Sequence, residues 1–224
     1  MSANTIDELA QHLLGLLHTS GRRVIVAVAG VPGSGKSHIS QGVCEAINRQ
    51  HISDIAVVVP MDGFHLPRAL LLEMEDPEQA MRRRGAPWTF DADGFVATVH
   101  SIRHSNIDGN SGVVLVPAFD HAVGDPVADA IAVKPQHSIV LVEGLYAHVG
   151  DQPWAQIGLG LADELWWIEP ADAAASYERL VRRHVAAGLA ADRQAAEERI
   201  AGNDALNGAY AEQARLAATR TVLN

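Results

Sequence analysis

Gly30-Val31-Pro32-Gly33-Ser34-Gly35-Lys36-Ser37 matches the phosphate-loop pattern G-x-x-x-x-G-K-[ST], and its neighbours are what that pattern needs. Before it, Val24-Ile25-Val26-Ala27-Val28-Ala29 is an apolar run of buried-strand length. After it, Ser37 to Arg49 has the length of a helix and contains neither proline nor glycine apart from Gly42. The glycines let successive backbone N–H groups curl around phosphate oxygens at the positive end of that helix. Lys36 has the reach to meet the β- and γ-phosphates, and the Ser37 hydroxyl can ligate magnesium. Gly33, Ser34, Gly35, Lys36, Ser37 and His38 are therefore the candidate nucleotide contacts, with ATP and Mg²⁺ as cofactors. A Gly-rich turn with a surface lysine is the alternative, and the strand and helix on either side weigh against it.

The rest of the composition bounds the class. A chain of 224 residues that is 48% hydrophobic can bury the core of one α/β domain. No apolar run approaches the ~18 residues of a membrane span, and the first residues lack a basic stretch followed by an apolar core, so a cytoplasmic protein is expected. Cys44 is the single cysteine, which rules out an internal disulfide, and its place in the helix after the loop suits a small buried hydrophobe. A formal net charge of −10 argues against a nucleic-acid surface while leaving room for local basic pockets that take small anions.

Along the chain, Thr5-Ile6-Asp7-Glu8 has capping-box spacing, and leucines at 9, 13, 14, 16 and 17 follow with helical period, predicting a helix over one edge of the domain. Asp54-Ile55-Ala56-Val57-Val58-Val59-Pro60 is the next strand candidate and runs into Met61-Asp62-Gly63-Phe64-His65. In a parallel sheet covered on both faces, ligands bind at the strands' carboxyl ends, which puts Asp62 on the side of the phosphate loop. Asp-Gly is also a common turn pair. Leu66 to Met74 reads as helical, and Asp76 to Trp88 as irregular. Its run Arg82-Arg83-Arg84 suits a solvated loop as well as a binding site. Asp91 caps a helix to about Arg103, and His104 to Gly112 reads as a loop.

Val113 to Pro117 is another strand candidate and leads to Ala118-Phe119-Asp120-His121, where loop chemistry competes with function. Ser138 to Val142 is a buried strand ending at Glu143-Gly144-Leu145-Tyr146. A carboxylate leaving such a strand is a candidate, with Ser37, for orienting the magnesium or its water shell. Asp163 to Glu169 is a further strand whose tryptophans pack in the core. Asp172 caps a helix through His184 on which Arg179, Arg182 and Arg183 share one face. A surface pairing of Glu178 with Arg182 is the plain reading of that face, and a lid closing on phosphates is the functional one. Asp192 to Ala201 is amphipathic, Gly202 to Gly208 a turn-rich break, and Thr219 to Leu223 an edge strand after a last helix. Together these elements predict one α/β domain over residues 1–224, a three-layer phosphate-loop NTPase fold with a mostly parallel sheet and a helical lid over about 176–200.

Taken in order, the motifs resemble the uridine kinase, phosphoribulokinase and pantothenate kinase group of phosphate-loop kinases, and within it the bacterial proteins labelled fructose transport-system kinases. The resemblance covers nearly the whole chain. It runs through the phosphate loop, Met61 to His65, Arg83-Arg84-Gly85-Ala86-Pro87 with Phe90-Asp91, Pro117 to His121, Val142 to Tyr146, the arginine-rich helix and Asn203-Asp204. It implies that Asp62 takes the acceptor's hydroxyl proton and that Glu143 lies near magnesium. Arg84, Asp120 and His121 would line the acceptor pocket, joined by His65, Phe119 and Tyr146 from the same motifs. Lys36, Arg179 and Arg183 would act in transfer, while Arg182 and Asn203 would sit near the nucleotide. Pro32-Gly33 departs from the residues usual in uridine and pantothenate kinases, and the chain is shorter than typical pantothenate kinases.

The function expected is an ATP-dependent kinase acting on a hydroxyl of a small metabolite, such as the sugar fructose, with nucleoside or pantothenate-type acceptors as alternatives. From another class, a nucleotide-dependent switch or assembly factor would share Lys36 and Ser37. Acceptor dependence of ADP release separates the two. The partner is thus a small molecule rather than nucleic acid or membrane, and a homodimer is one assembly the sequence allows.

Overall fold

The computed structural model describes residues 5–105, 112–120 and 122–224. Five strands form one parallel sheet: β1 (Val24–Ala29), β2 (Ala56–Pro60), β5 (Ile139–Glu143), β6 (Glu164–Glu169) and β7 (Arg220–Leu223), in the order β2-β5-β1-β6-β7. The strand that feeds the phosphate loop is therefore central. All six residues of β1 are buried because the sheet is covered on both faces. Val24, Val26 and Val28 pack with Trp166 under α1 (Ile6–Ser20) and α2 (Lys36–Asn48). Ile25, Ala27 and Ala29 face the opposite core, with Trp167, Trp154 and Phe95. Trp166 and Trp167 are consecutive, so the two-residue period of the strand sends them to opposite faces.

The chain is thus a three-layer α/β fold of the P-loop NTPase type. Thr5 and Glu8 complete the capping box of α1, and Leu9, Ala10 and Leu13 pack it beside α2 on a face of the sheet rather than over an edge. Asp91 caps α5 (Ala92–His104), and Asp172 caps α6 (Ala173–Ala186). Three stretches depart from expectation. Asp76 caps α4 (Pro77–Arg82) after the short α3 (Arg68–Leu72), so part of the irregular segment is helical. β3 (Val114–Asp120) stays out of the main sheet and pairs antiparallel with β4 (Asp125–Val133), a strand the sequence pattern did not single out. The proposed break at 202–208 is helix: α7 (Arg193–Arg199) passes through a π-turn (Ile200–Asp204) straight into α8 (Ala205–Ala214).

One buried cation fastens the far end of the sheet. Arg23 donates through Nε to the His137 carbonyl at 2.8 Å, and through its terminal nitrogens to Ile102 at 2.6 Å and Lys134 at 3.1 Å. Burial, with help from nearby Arg103, pulls its pKa down. Arg103 in turn reaches the Arg23 carbonyl and Asp163, whose other oxygen takes Arg22. Replacing Arg23 with Met should leave the His137 carbonyl without its donor and take one donor each from the Ile102 and Lys134 carbonyls, which keep Ser105 Oγ and the His137 N–H. We expect a loss of about 2–4 kcal/mol of unfolding free energy in denaturant titration, with nucleotide affinity of the remaining folded protein unchanged.

Candidate functional site

Parallel register builds the site. Val28 on β1, Glu143 on β5 and Pro60 on β2 lie side by side in the sheet. The phosphate loop starts two residues beyond the first, and Asp62 stands two residues beyond the last. Three chain segments far apart in sequence therefore leave the same edge together, as carboxyl ends of parallel strands do.

The loop is held tightly. Gly33 and Gly35 have φ of 81° and 91°, and Gly35 is the N-cap of α2. At Gly30 a Cβ would come within 2.6 Å of both the Ile168 carbonyl and Ser34 Oγ. From outside, Ser176 Oγ in the first turn of α6 donates to the Gly33 carbonyl at 2.6 Å, and Asn224 Nδ2 donates to the Ser34 carbonyl at 2.9 Å. Gly208 of α8 sits against Pro32, whose Cδ would be 3.1 Å from a Cβ there. Ser34 is buried, whereas Lys36 is half-buried, and Ser37 and His38 are exposed on the first turn of α2. That turn carries no acidic residue to neutralise the positive helix end.

Glu143 is the buried acid of the site. Its Oε1 accepts from Ser37 Oγ at 3.1 Å, while Oε2 is buried without a hydrogen-bond partner. Burial pushes the carboxyl up from its usual range, against the pull of Lys36, and the charge of Asp62 adds to the rise; the Ser37 hydroxyl and Arg183 oppose it. Lys36, Ser37, Asp62 and Arg183 thus all bear on one carboxyl. An orphaned carboxylate oxygen beside a serine hydroxyl is a donor pair that fits a hydrated divalent cation on a phosphate chain, although no group of three acidic, histidine or cysteine side chains suited to a metal exists among the described residues.

Asp62 lies in a 3₁₀ turn (Met61–Phe64) and is exposed. Gly63 beside it leaves no room for a side chain, since a Cβ would stand 2.1 Å from the Pro117 carbonyl of β3. His65 closes the turn, its Nδ1 2.9 Å from the Asp62 carbonyl and its ring 4.0 Å from Phe90 and 5.0 Å from Phe119. Arg84 lies over Phe119 and donates to the Gly124 carbonyl and to Asp125 Oδ1, both at 2.6 Å. Burial works against ionising Asp125, but the Arg68 N–H and the Arg84 guanidinium overcome it and hold that carboxyl below its usual range. Asp120 turns inward to accept the N–H groups of Ala122 and Val123, which is loop chemistry at the hairpin tip. His121 lies outside the described residues.

Two further residues expected at the ligand are tied into the scaffold by their own hydrogen bonds. Tyr146 is fully buried, and its hydroxyl donates to the Gly85 carbonyl at 2.6 Å, so burial lifts its pKa and it fixes the Arg84-Gly85 loop. Asn203 is buried in the π-turn, where Nδ2 donates to the Arg84 carbonyl at 2.9 Å and Oδ1 accepts from Asn207. Arg83 completes that seam through the Gly202 carbonyl and Asn207 Oδ1. Arg179, Arg182 and Arg183 are exposed on α6, and Glu178 pairs with Arg193 rather than Arg182. Sequence reasoning missed Ser176, Asn207 and Asn224. Ser176, four residues after a capping Asp, carried a weak positional signal, and the two asparagines carried none.

Comparison with known proteins agrees with the fold. No family model matches the chain. A Schizosaccharomyces pombe protein provisionally named uridine kinase, C227.14, is 36% identical over 213 residues, 94% of this chain and 86% of that one. The ATP-dependent kinase-like protein notR' of Aspergillus versicolor is 44% identical over 147 residues, 66% of this chain and 84% of that one. The crystal structure of a protein from Silicibacter sp. TM1040, provisionally named fructose transport system kinase, superposes with a TM-score of 0.80 at 34% identity, covering 97% of this chain and 98% of that one.

Because the Glu143 carboxyl titrates above its unfolded value, ionising it in the folded protein costs stability, a cost that is absent at low pH and appears as pH rises past the carboxylate range. Glu143→Gln should therefore raise the melting temperature of the nucleotide-free protein at pH 7 and flatten its pH dependence above pH ~5. An unchanged melting curve would show that the carboxyl is not penalised.

Proposed function

This chain belongs to the P-loop kinase family of its uridine-kinase and fructose-transport-kinase relatives, an ATP-dependent kinase acting on a small metabolite, and from there we propose that it transfers the γ-phosphoryl group to an acceptor hydroxyl. The observation that carries this reading is the convergence on Glu143: Lys36 and Ser37 from the phosphate loop, Asp62 from the β2 edge and Arg183 from α6 all act on one buried carboxyl. A cradle alone would suit any nucleotide switch. A second, exposed acid from another strand is what an alcohol acceptor needs.

Phosphoryl transfer has a loose transition state with charge spread over peripheral oxygens, so the protein's part is positioning and counter-charge. In this reading the α2 N-terminus and the loop N–H groups hold the β- and γ-phosphates, and Lys36 pairs with them. Arg179 and Arg183 supply counter-charge to the moving group while Arg182 holds the nucleotide, with residues of about 176–200 acting as a lid within a single domain. Mg²⁺, held by Ser37 with Glu143 nearby, would neutralise phosphate charge when bound. Asp62 orients the acceptor hydroxyl and accepts its proton as the oxygen–phosphorus bond forms and ADP leaves. His65, Phe119 and Arg84 form a wall of the acceptor cleft beside it. A sugar such as fructose is the leading acceptor, and the 36% identity to the protein named uridine kinase favours a nucleoside as the second. Free metabolites and ATP meet in the cytoplasm, where we place the reaction.

The test is Asp62→Asn with Mg-ATP across a panel of sugars, nucleosides and vitamin precursors, read by ADP release and mass detection of the product. ATP affinity should stay within about twofold of the parent while turnover on the phosphorylated acceptor falls by roughly 10²–10⁴. Near-normal turnover would remove Asp62 from the mechanism. Acceptor-independent ADP release would replace the kinase reading with a switch.

A further inference from the structure

Two consecutive peptide units of the phosphate loop are held from outside, and they differ in what their N–H groups do. The Gly33–Ser34 unit is engaged at both ends. Ser176 Oγ donates to its carbonyl at 2.6 Å, and its N–H donates to the Val31 carbonyl at 3.1 Å, closing a turn with Pro32 and Gly33 at the corners. The Ser34–Gly35 unit is engaged at its oxygen alone. Asn224 Nδ2 donates to that carbonyl at 2.9 Å, while the Gly35 N–H has no acceptor among the described residues. The unit is trans and planar, so its N–H points opposite to its carbonyl. An oxygen drawn toward Asn224 therefore aims the Gly35 hydrogen the other way, where it joins the N–H groups that open α2 without an intrahelical partner.

Asn224 is built to fix that aim. It stands at the carboxyl end of β7, which β6 separates from β1. Its own N–H donates to the Glu169 carbonyl at 2.9 Å, and its carbonyl accepts from the Ala171 N–H at 2.8 Å, so its backbone is fastened on both sides to the end of β6. The fit to the loop is close: Gly35 has a φ of 91°, and a Cβ on it would fall on Asn224 Nδ2. Glycine at 33 and 35 gives the intervening backbone freedom to rotate. Rotation of the Ser34–Gly35 unit would turn its carbonyl oxygen, instead of its hydrogen, toward an anion. A donor that holds the oxygen in advance removes that alternative and lowers the ordering cost of binding.

We propose that Asn224 is a positioning residue for the nucleotide, holding the Ser34 carbonyl outward so that the Gly35 N–H meets the β-phosphate. This deepens the reading above and rests on its nucleotide half, with no part played by the acceptor.

The experiment is calorimetric titration of AMP, ADP and inorganic tripolyphosphate into the parent protein and Asn224→Leu, which keeps a similar volume and lacks the donor. AMP carries no β-phosphate, so its affinity should stay within about twofold of the parent. ADP and tripolyphosphate should each bind about tenfold more weakly, the loss of one hydrogen bond. Asn224→Ala should show the same division and carries the test if the leucine variant does not fold. AMP affinity falling as far as ADP affinity would reduce Asn224 to a structural support, and unchanged ADP and tripolyphosphate affinity would show that the amide needs no such hold; either result overturns the proposal. If binding divides as expected but no alcohol is ever phosphorylated, the transfer reading fails and the role of Asn224 stands. If transfer proceeds and both variants bind ADP as the parent does, the reverse holds.

Discussion

A carboxyl group withdrawn from water at the floor of the cleft is the constraint around which the rest of the structure is arranged. An isolated buried carboxylate would protonate or draw in water. Glu143 is tolerated because β5 lies directly beside β1, which delivers Ser37 and Lys36 to it, even though β2 on its other side brings the like charge of Asp62 within electrostatic range. A one-residue slip between these strands would turn Glu143 to the other face of the sheet.

The cleft wall has a different origin. The β3–β4 hairpin shares no strand pairing with the main sheet and is placed by local contacts instead: Gly63 against the Pro117 carbonyl, Arg84 into the hairpin tip, and the His65 ring between Phe90 and Phe119. Rigid register thus positions the phosphate-loop side, and side-chain wiring positions the side proposed for the acceptor. The second kind of support is easier to vary without disturbing the first, which suits a family whose relatives carry names for different substrates.

What the sequence revealed follows the same division. The loop, the strands and the helix caps are local patterns, and Thr5, Asp91 and Asp172 each act where their spacing placed them. The parallel sheet follows from strands separated by helices. Roles that depend on partners far along the chain were illegible. Tyr146 bonds 61 residues back to Gly85, Asn203 bonds 119 residues back to Arg84, and Asn224 bonds 190 residues back to Ser34. Gly202 and Gly208 suggested a break by composition, yet the helix runs through them, and at Gly208 the missing side chain is what lets α8 approach Pro32. Glycine reads as flexibility in sequence and as proximity in structure.

The bond from Ser176 to the Gly33 carbonyl makes the near end of α6 a fulcrum. At ~1.5 Å per residue, Arg183 stands roughly 10 Å out along the lever from that pivot. A tilt of about 10° would therefore sweep its guanidinium through roughly 2 Å while barely displacing the glycines at the pivot. The helix can be geared to its load at the far end and remain, at the near end, part of the cradle.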